Sequence, residues 1–127
     1  MNKKLIASLA AVGMITAVAT VAYAGSTTYS FTHSGTWVPQ KKNFTLTSDA
    51  YLNVSGSQSA TVSGVTSACY YSVYKKGIIF DDEIIPEFLQ SGNRSIGFSS
   101  SSKLKSGDYY LEVVCNTPST TTGTISW

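Results

Sequence analysis

Between residues 25 and 127 no stretch of the chain holds a helical repeat for long. It is written in short alternating or β-branched runs broken by Gly, Ser, Asn, Asp and Pro. Candidate strands are 28–31, 36–38, 43–47, 51–55, 60–62, 69–74, 78–80, 94–98, 108–115 and 121–127. In Phe44, Leu46, Leu52, Val54, Ala60 and Val62 the apolar residues take alternate positions, with Thr, Asn or Ser between them. That period of two describes strands with one dry face and one wet face. Pro39–Lys42, Ser48-Asp49, Ser55-Gly56-Ser57, Lys75–Gly77 and Lys105–Gly107 read as turns. Many short strands without intervening helices specify an all-β fold, a single antiparallel β-sandwich or small barrel. Only Asp81–Leu89 departs from this style, and Pro86 within it suggests one helical turn or an irregular loop. No internal repeat and no linker divides residues 25–127, so one β-sandwich domain is expected there.

Residues 1–24 have the three parts of a cleavable secretory signal. Lys3 and Lys4 are the positive start, Leu5–Val21 is an uncharged apolar run, and Ala22-Tyr23-Ala24 offers small residues for cleavage before Gly25. A retained anchor, or a cut after Ala19 or Ala22, are the other readings. The expected product is secreted, extracellular or periplasmic, with no transmembrane segment after residue 24. The chain has nine basic and seven acidic residues, and losing Lys3 and Lys4 leaves seven of each sign. A neutral chain has no electrostatic footprint for nucleic acid, so none is expected as a partner.

Cys69 and Cys115 are the two cysteines. Export to an oxidising compartment makes a disulfide between them the expectation. Cys69 is in step with Tyr71 and Val73, and Cys115 with Tyr109, Leu111 and Val113, so both thiols should point to one side of a sheet. On the opposite parity stand Tyr70, Tyr74 and Tyr110. If the disulfide parity faces inward, these tyrosines share an outer face. A row of exposed tyrosines is a stacking surface for sugar rings or for a partner's apolar patch.

Leu104-Lys105-Ser106-Gly107-Asp108-Tyr109-Tyr110-Leu111-Glu112-Val113 resembles the L-x-x-G-x-Y-Y-hydrophobic-x-V hairpin of bacterial pre-peptidase C-terminal domains, jelly-roll-like sandwiches found on secreted proteins. Phe44-Thr45-Leu46, Tyr71-Ser72-Val73-Tyr74 and Thr124–Trp127 are similar to that family's early, central and closing strands. The chain departs from the family in standing without a peptidase and in carrying the cysteine pair. The resemblance implies a jelly-roll-like sandwich and a non-catalytic accessory or binding role.

Chemistry-bearing residues are few. His33 is the sole histidine, with no nucleophile-elbow motif beside it, and reads as a surface or structural residue. Asp81, Asp82 and Glu83 are the calcium candidates, but they lack the alternating D-x-D-x-D-G spacing that rings one ion, so no metal and no cofactor is expected. Asp108, Glu112 and Glu87 add carboxylates for a glycosidase pair, whose separation a sequence does not display. The apolar segments Ile78–Phe80 and Ile84–Leu89 are expected to cap one end of the sandwich. Sequons at Asn43, Asn53 and Asn93 are assigned no role. The functional expectation is a non-enzymatic module binding an extracellular or cell-surface glycan or protein. The alternative is a secreted antimicrobial or toxin-like protein, which needs Ile84–Leu89 exposed and membrane-active.

Overall fold

A computed structural model describes residues 23–127; the expected signal, apart from Tyr23 and Ala24, lies outside the described residues. Eight strands follow in order: β1 (Ser26–His33), β2 (Gln40–Leu46), β3 (Asn53–Ala60), β4 (Ala68–Lys75), β5 (Asp82–Ser91), β6 (Arg94–Ser99), β7 (Gly107–Cys115) and β8 (Ser119–Ser126). They form two four-stranded antiparallel sheets, β1-β8-β3-β6 and β2-β7-β4-β5. The chain changes sheet at every connection except β4–β5, which is the single hairpin between hydrogen-bonded neighbours. This is a jelly-roll sandwich with one disulfide.

Alternation explains the core. Tyr71 and Val73 of β4, Tyr109, Leu111 and Val113 of β7, Phe44 and Leu46 of β2 face Tyr29, Val54, Ile96 and Ile125 from the other sheet. Cys69 and Cys115 are direct register partners on β4 and β7 and are joined, with Cα atoms 4.1 Å apart. Both are buried, as their parity predicts. Closing a loop of 46 residues stabilises the fold by about 4 kcal/mol through the unfolded chain's lost freedom.

Several polar groups inside are paired across the sandwich, while the Tyr29 hydroxyl and His33 Nδ1 have no partner. The buried Tyr71 hydroxyl donates to Gln58 Oε1 at 2.8 Å, and Gln58 Nε2 donates to the carbonyls of Gln90 (2.9 Å) and Gly92 (3.1 Å). One core position is unusually crowded. Gly56 of β3 and Gly123 of β8 are register partners, and a Cβ on either would stand within 2.7 Å of the Tyr29 ring or hydroxyl. The two glycines make the room that Tyr29 occupies.

That packing corrects one expectation. Ser55-Gly56-Ser57 is not a turn but the middle of β3, whose register with β8 runs unbroken from Asn53 to Ala60. Asp81–Leu89 holds neither a helical turn nor a loop from residue 82 onward, because it belongs to β5. Pro86 is tolerated there because β5 is an edge strand whose pairing slips between Ile85 and Phe88. Conversely, residues 36–38 and 78–80 are loops rather than strands. Pro39 ends the first expected turn early, since β2 begins at Gln40.

Candidate functional site

The interior is closed by packing, so a macromolecular ligand has the two outer faces to choose from. The outer face of β1-β8-β3-β6 is nearly featureless. β1 turns out Ser26, Thr28, Ser30 and Thr32; opposite them β8 turns out Ser126, Thr124, Thr122 and Thr120. β3 continues the rows with Ser55, Ser57 and Ser59, and β6 with Ser95 and Ser99. No charged or aromatic side chain interrupts these rows.

The outer face of β2-β7-β4-β5 is different in kind. Tyr70, Ser72 and Tyr74 alternate outward along β4, against Val114, Glu112 and Tyr110 of β7. Lys41 of β2 lies opposite Glu112, and Asn43 opposite Tyr110. Leu89 and Glu83 of β5 complete the first and last rows. Tyr70 and Tyr74 are four residues apart, about 13 Å along an extended strand.

Each end of the face carries a ring pair. At one end the β1–β2 loop lays Trp37 over Tyr70, ring centroids 5.4 Å apart and planes 31° apart. Trp37 has a positive φ of 62°, a left-handed conformation that bulky residues rarely adopt, and its indole is 54% exposed. The Trp37 backbone N–H donates to the Cys115 carbonyl at 3.4 Å, which fixes the loop to β7. At the other end Tyr74 and Tyr110 stack at 5.2 Å and 17°. Lys41 Nζ lies 4.8 Å from the Tyr110 ring centre. The Tyr110 hydroxyl donates to Asp81 Oδ2 at 2.8 Å, and the Tyr74 hydroxyl to Glu83 Oε2 at 3.3 Å.

Charge is tuned across the same surface. Burial, with the Asp81 bond second, raises the Tyr110 hydroxyl well above the usual tyrosine range. The Tyr110 hydroxyl, then the Gly77 N–H, hold the Asp81 carboxyl below its ordinary value. Between the ring pairs, partial burial raises the Glu112 carboxyl, the nearby Glu87 adds to the effect, and Lys41 opposes it.

The tyrosines expected on one face are therefore together, but not equally available. Tyr70 and Tyr74 are half-buried, whereas Tyr110 is only 6% exposed, covered by Lys41 and tied to Asp81, so the expected row of three exposed tyrosines has two. Trp37 sits in a loop and not on the expected 36–38 strand; Gly35 and Pro39 on either side are the signal for it. The calcium candidates are spread out: Asp81 serves Tyr110 and Gly77, Glu83 serves Tyr74, and Asp82 pairs in register with Lys75. Among the described residues no three His, Cys, Asp or Glu side chains converge to hold a metal.

Other candidates separate by burial. His33 is 3% exposed, its Nε2 is 2.9 Å from Thr121 Oγ1, and its Nδ1 has no partner; burial lowers its pKa from 6.5. The expected apolar cap splits in two. Ile84, Ile85 and Phe88 pack against the core, while Ile78, Ile79 and Phe80 stand in solvent at the β4–β5 tip. The exposed Ile84–Leu89 loop required by the toxin-like alternative is thus a half-buried edge strand, with Leu89 on its outer side. A shallow cleft of about 180 Å³ beside it is lined by Ile84, Ile85, Pro86, Leu104 and residues 99–102, without a carboxylate. Among the described residues no helix is long and apolar enough to cross a membrane.

What fold and face define is an eight-stranded, disulfide-linked jelly-roll sandwich with one chemically differentiated outer surface. No family model and no curated protein matches the chain. Solved structures similar to it include those of two infectious bursal disease virus strains. For the Gx strain the TM-score is 0.45 at 10% identity, covering 84% of this chain and 31% of that one. For the Gt strain the TM-score is 0.40 at 14% identity, covering 82% and 30%. The chain spans less than a third of either structure, and nothing about function is drawn from the likeness.

Proposed function

We propose that the protein is a secreted, non-catalytic module that binds a cell-surface or extracellular glycan on the outer face of β2-β7-β4-β5. One observation carries the reading: two ring pairs, Trp37–Tyr70 and Tyr74–Tyr110, bracket the half-buried Glu112 and the exposed Lys41 on a single sheet face. Flat aromatic surfaces take the apolar faces of sugar rings, and the polar groups between them take hydroxyls. The left-handed Trp37 supports it further, since backbone strain of this kind gathers at ligand-binding positions. A protein ligand would use the same platform. An accessory role of this sort is also what the resemblance to pre-peptidase C-terminal domains implies.

The test is sedimentation of the oxidised chain from Gly25 onward with intact bacterial cells and with isolated cell walls, counting survivors in parallel. Saturable binding without killing, reduced at least about tenfold by Trp37→Ala or Tyr70→Ala, is expected. Binding that ignores both substitutions overturns the face. Killing moves the toxin-like reading to the front.

A further inference from the structure

The β4–β5 hairpin ends in a feature that the aromatic face does not use. Ile78 is fully exposed, and Ile79 and Phe80 are each 81% exposed, three consecutive large apolar side chains at the apex of the single within-sheet hairpin. Folding gains nothing from them there, and an apolar cluster bared to water marks a surface that meets a partner.

The apex is held, not loose. On one side the Lys76 N–H donates to the Asp108 carbonyl at 2.8 Å. On the other, Asp81 accepts from the Gly77 N–H at 3.2 Å and from the Tyr110 hydroxyl at 2.8 Å, tying the turn to β7. A Cβ on Gly77 would collide with the Phe80 carbonyl, so glycine is what lets the turn close this tightly. The backbone on both sides of the three residues is therefore fixed, which limits the chain freedom lost when they bind.

We infer that the Ile78-Ile79-Phe80 tip inserts into the headgroup–acyl boundary of a phospholipid bilayer. Three properties favour a bilayer over a protein groove. The apex is convex and stands clear of the body, without the surrounding rim that shields a protein hot spot from water. Behind it the chemistry changes in the order an interface demands: apolar side chains first, then the exposed Lys76, whose stem can lie along the acyl boundary with its amine in water. The next layer is the half-buried Tyr74, an aromatic body with a polar tip, the residue type that sits at headgroup level. Local charge is balanced, Lys41, Lys75 and Lys76 against Asp81, Asp82 and Glu83, so apolar insertion drives binding and anionic lipid is not required. The inserting residues belong to the tip and not to the sheet face; Tyr74 borders both, so the test substitutes Ile79 and Phe80, which the glycan reading does not use.

The experiment uses the oxidised chain from Gly25, which carries both sheets and the disulfide, with phosphatidylcholine vesicles, alone or with phosphatidylglycerol. Phe80→Trp should show a blue-shifted tryptophan emission on adding either vesicle, little changed in 1 M salt. Phe80→Ser combined with Ile79→Ser should lower vesicle partition at least tenfold, with unchanged thermal unfolding and unchanged sedimentation on cell walls. No blue shift, or binding that needs anionic lipid and vanishes in salt, overturns the inference. A solution dimer dissolved by the same serine pair also overturns it, since the tip would then pack on a second copy. Loss of wall binding by Trp37→Ala with vesicle binding intact would test the other site alone.

Discussion

The two outer faces of this sandwich solve the same folding problem with different chemistry. On β1-β8-β3-β6, Ser and Thr dominate the outward rows, with Asn53 and Gly97 beside them: short polar side chains keep the face wet. On β2-β7-β4-β5, the outward rows hold stacked rings, a left-handed tryptophan, a tyrosine hydroxyl sequestered on a carboxylate and a half-buried glutamate. The serine–threonine face does without such features. On the other face they tie the β1–β2 loop and the β4–β5 turn to β7, and the proposed binding role would draw on the same residues.

The largest effect expected lies beneath the second face. Cys69→Ser removes the link between β4 and β7, and the midpoint of thermal unfolding should drop by about 15 °C or more. Hydrogen exchange should quicken in β4 and β7 more than in β8 and β3; equal quickening would mean that the disulfide secures both sheets alike.

Next comes ligand binding. Trp37→Ala with Tyr70→Ala should weaken cell-wall binding at least about tenfold. On the other face, Ser57→Lys with Thr122→Glu, which are register partners, should change it less than about twofold. Binding isotherms yielding equal losses would erase the distinction between the faces.

A smaller effect belongs to His33, buried under the serine–threonine face. Its folded pKa is lowered by burial, so the unfolded chain binds the proton more readily. The corresponding stability is fully present above pH 6.5 and is lost as pH falls toward the lowered folded value. Unfolding midpoints measured between pH 7 and pH 5 should fall, and His33→Leu should flatten that slope whatever it does to the midpoint at pH 7. A wild-type profile already flat would show that the imidazole protonates without cost.

Smallest is Glu112, whose folded pKa is raised from 4.5. Stability tied to it is present below that value and lost as pH rises through the folded pKa. Glu112→Gln should therefore stabilise slightly at pH 7, by less than about 0.5 kcal/mol for a group this exposed. Chemical denaturation at pH 4 and pH 7 checks the sign; a loss at pH 7 would mean that the pairing with Lys41 outweighs burial.

Much of the sandwich was legible because strand alternation is a local property. The parity of Cys69, Tyr71 and Val73 against Tyr70 and Tyr74 needs only neighbouring residues, and it placed the disulfide and the outer tyrosines on opposite faces. Ser55-Gly56-Ser57 misled for a non-local reason: Gly56 is there for Tyr29, a ring 27 positions away in the chain. Pro86 misled because being at a sheet edge is a property of strand order, which no local pattern encodes.

The sequence by itself determined the strand-rich class, the pairing of its two cysteines and the inward or outward parity of the strands around them, since each follows from composition and a repeat of two. Tertiary structure alone decided which strands became neighbours and what covers what. It stacked Trp37 on Tyr70, hid Tyr110 beneath Lys41 and Asp81, buried Ile84 and Ile85, and left Ile78–Phe80 in solvent. Exposure depends on contacts between segments far apart in the chain, and two apolar runs of similar composition can therefore meet opposite fates.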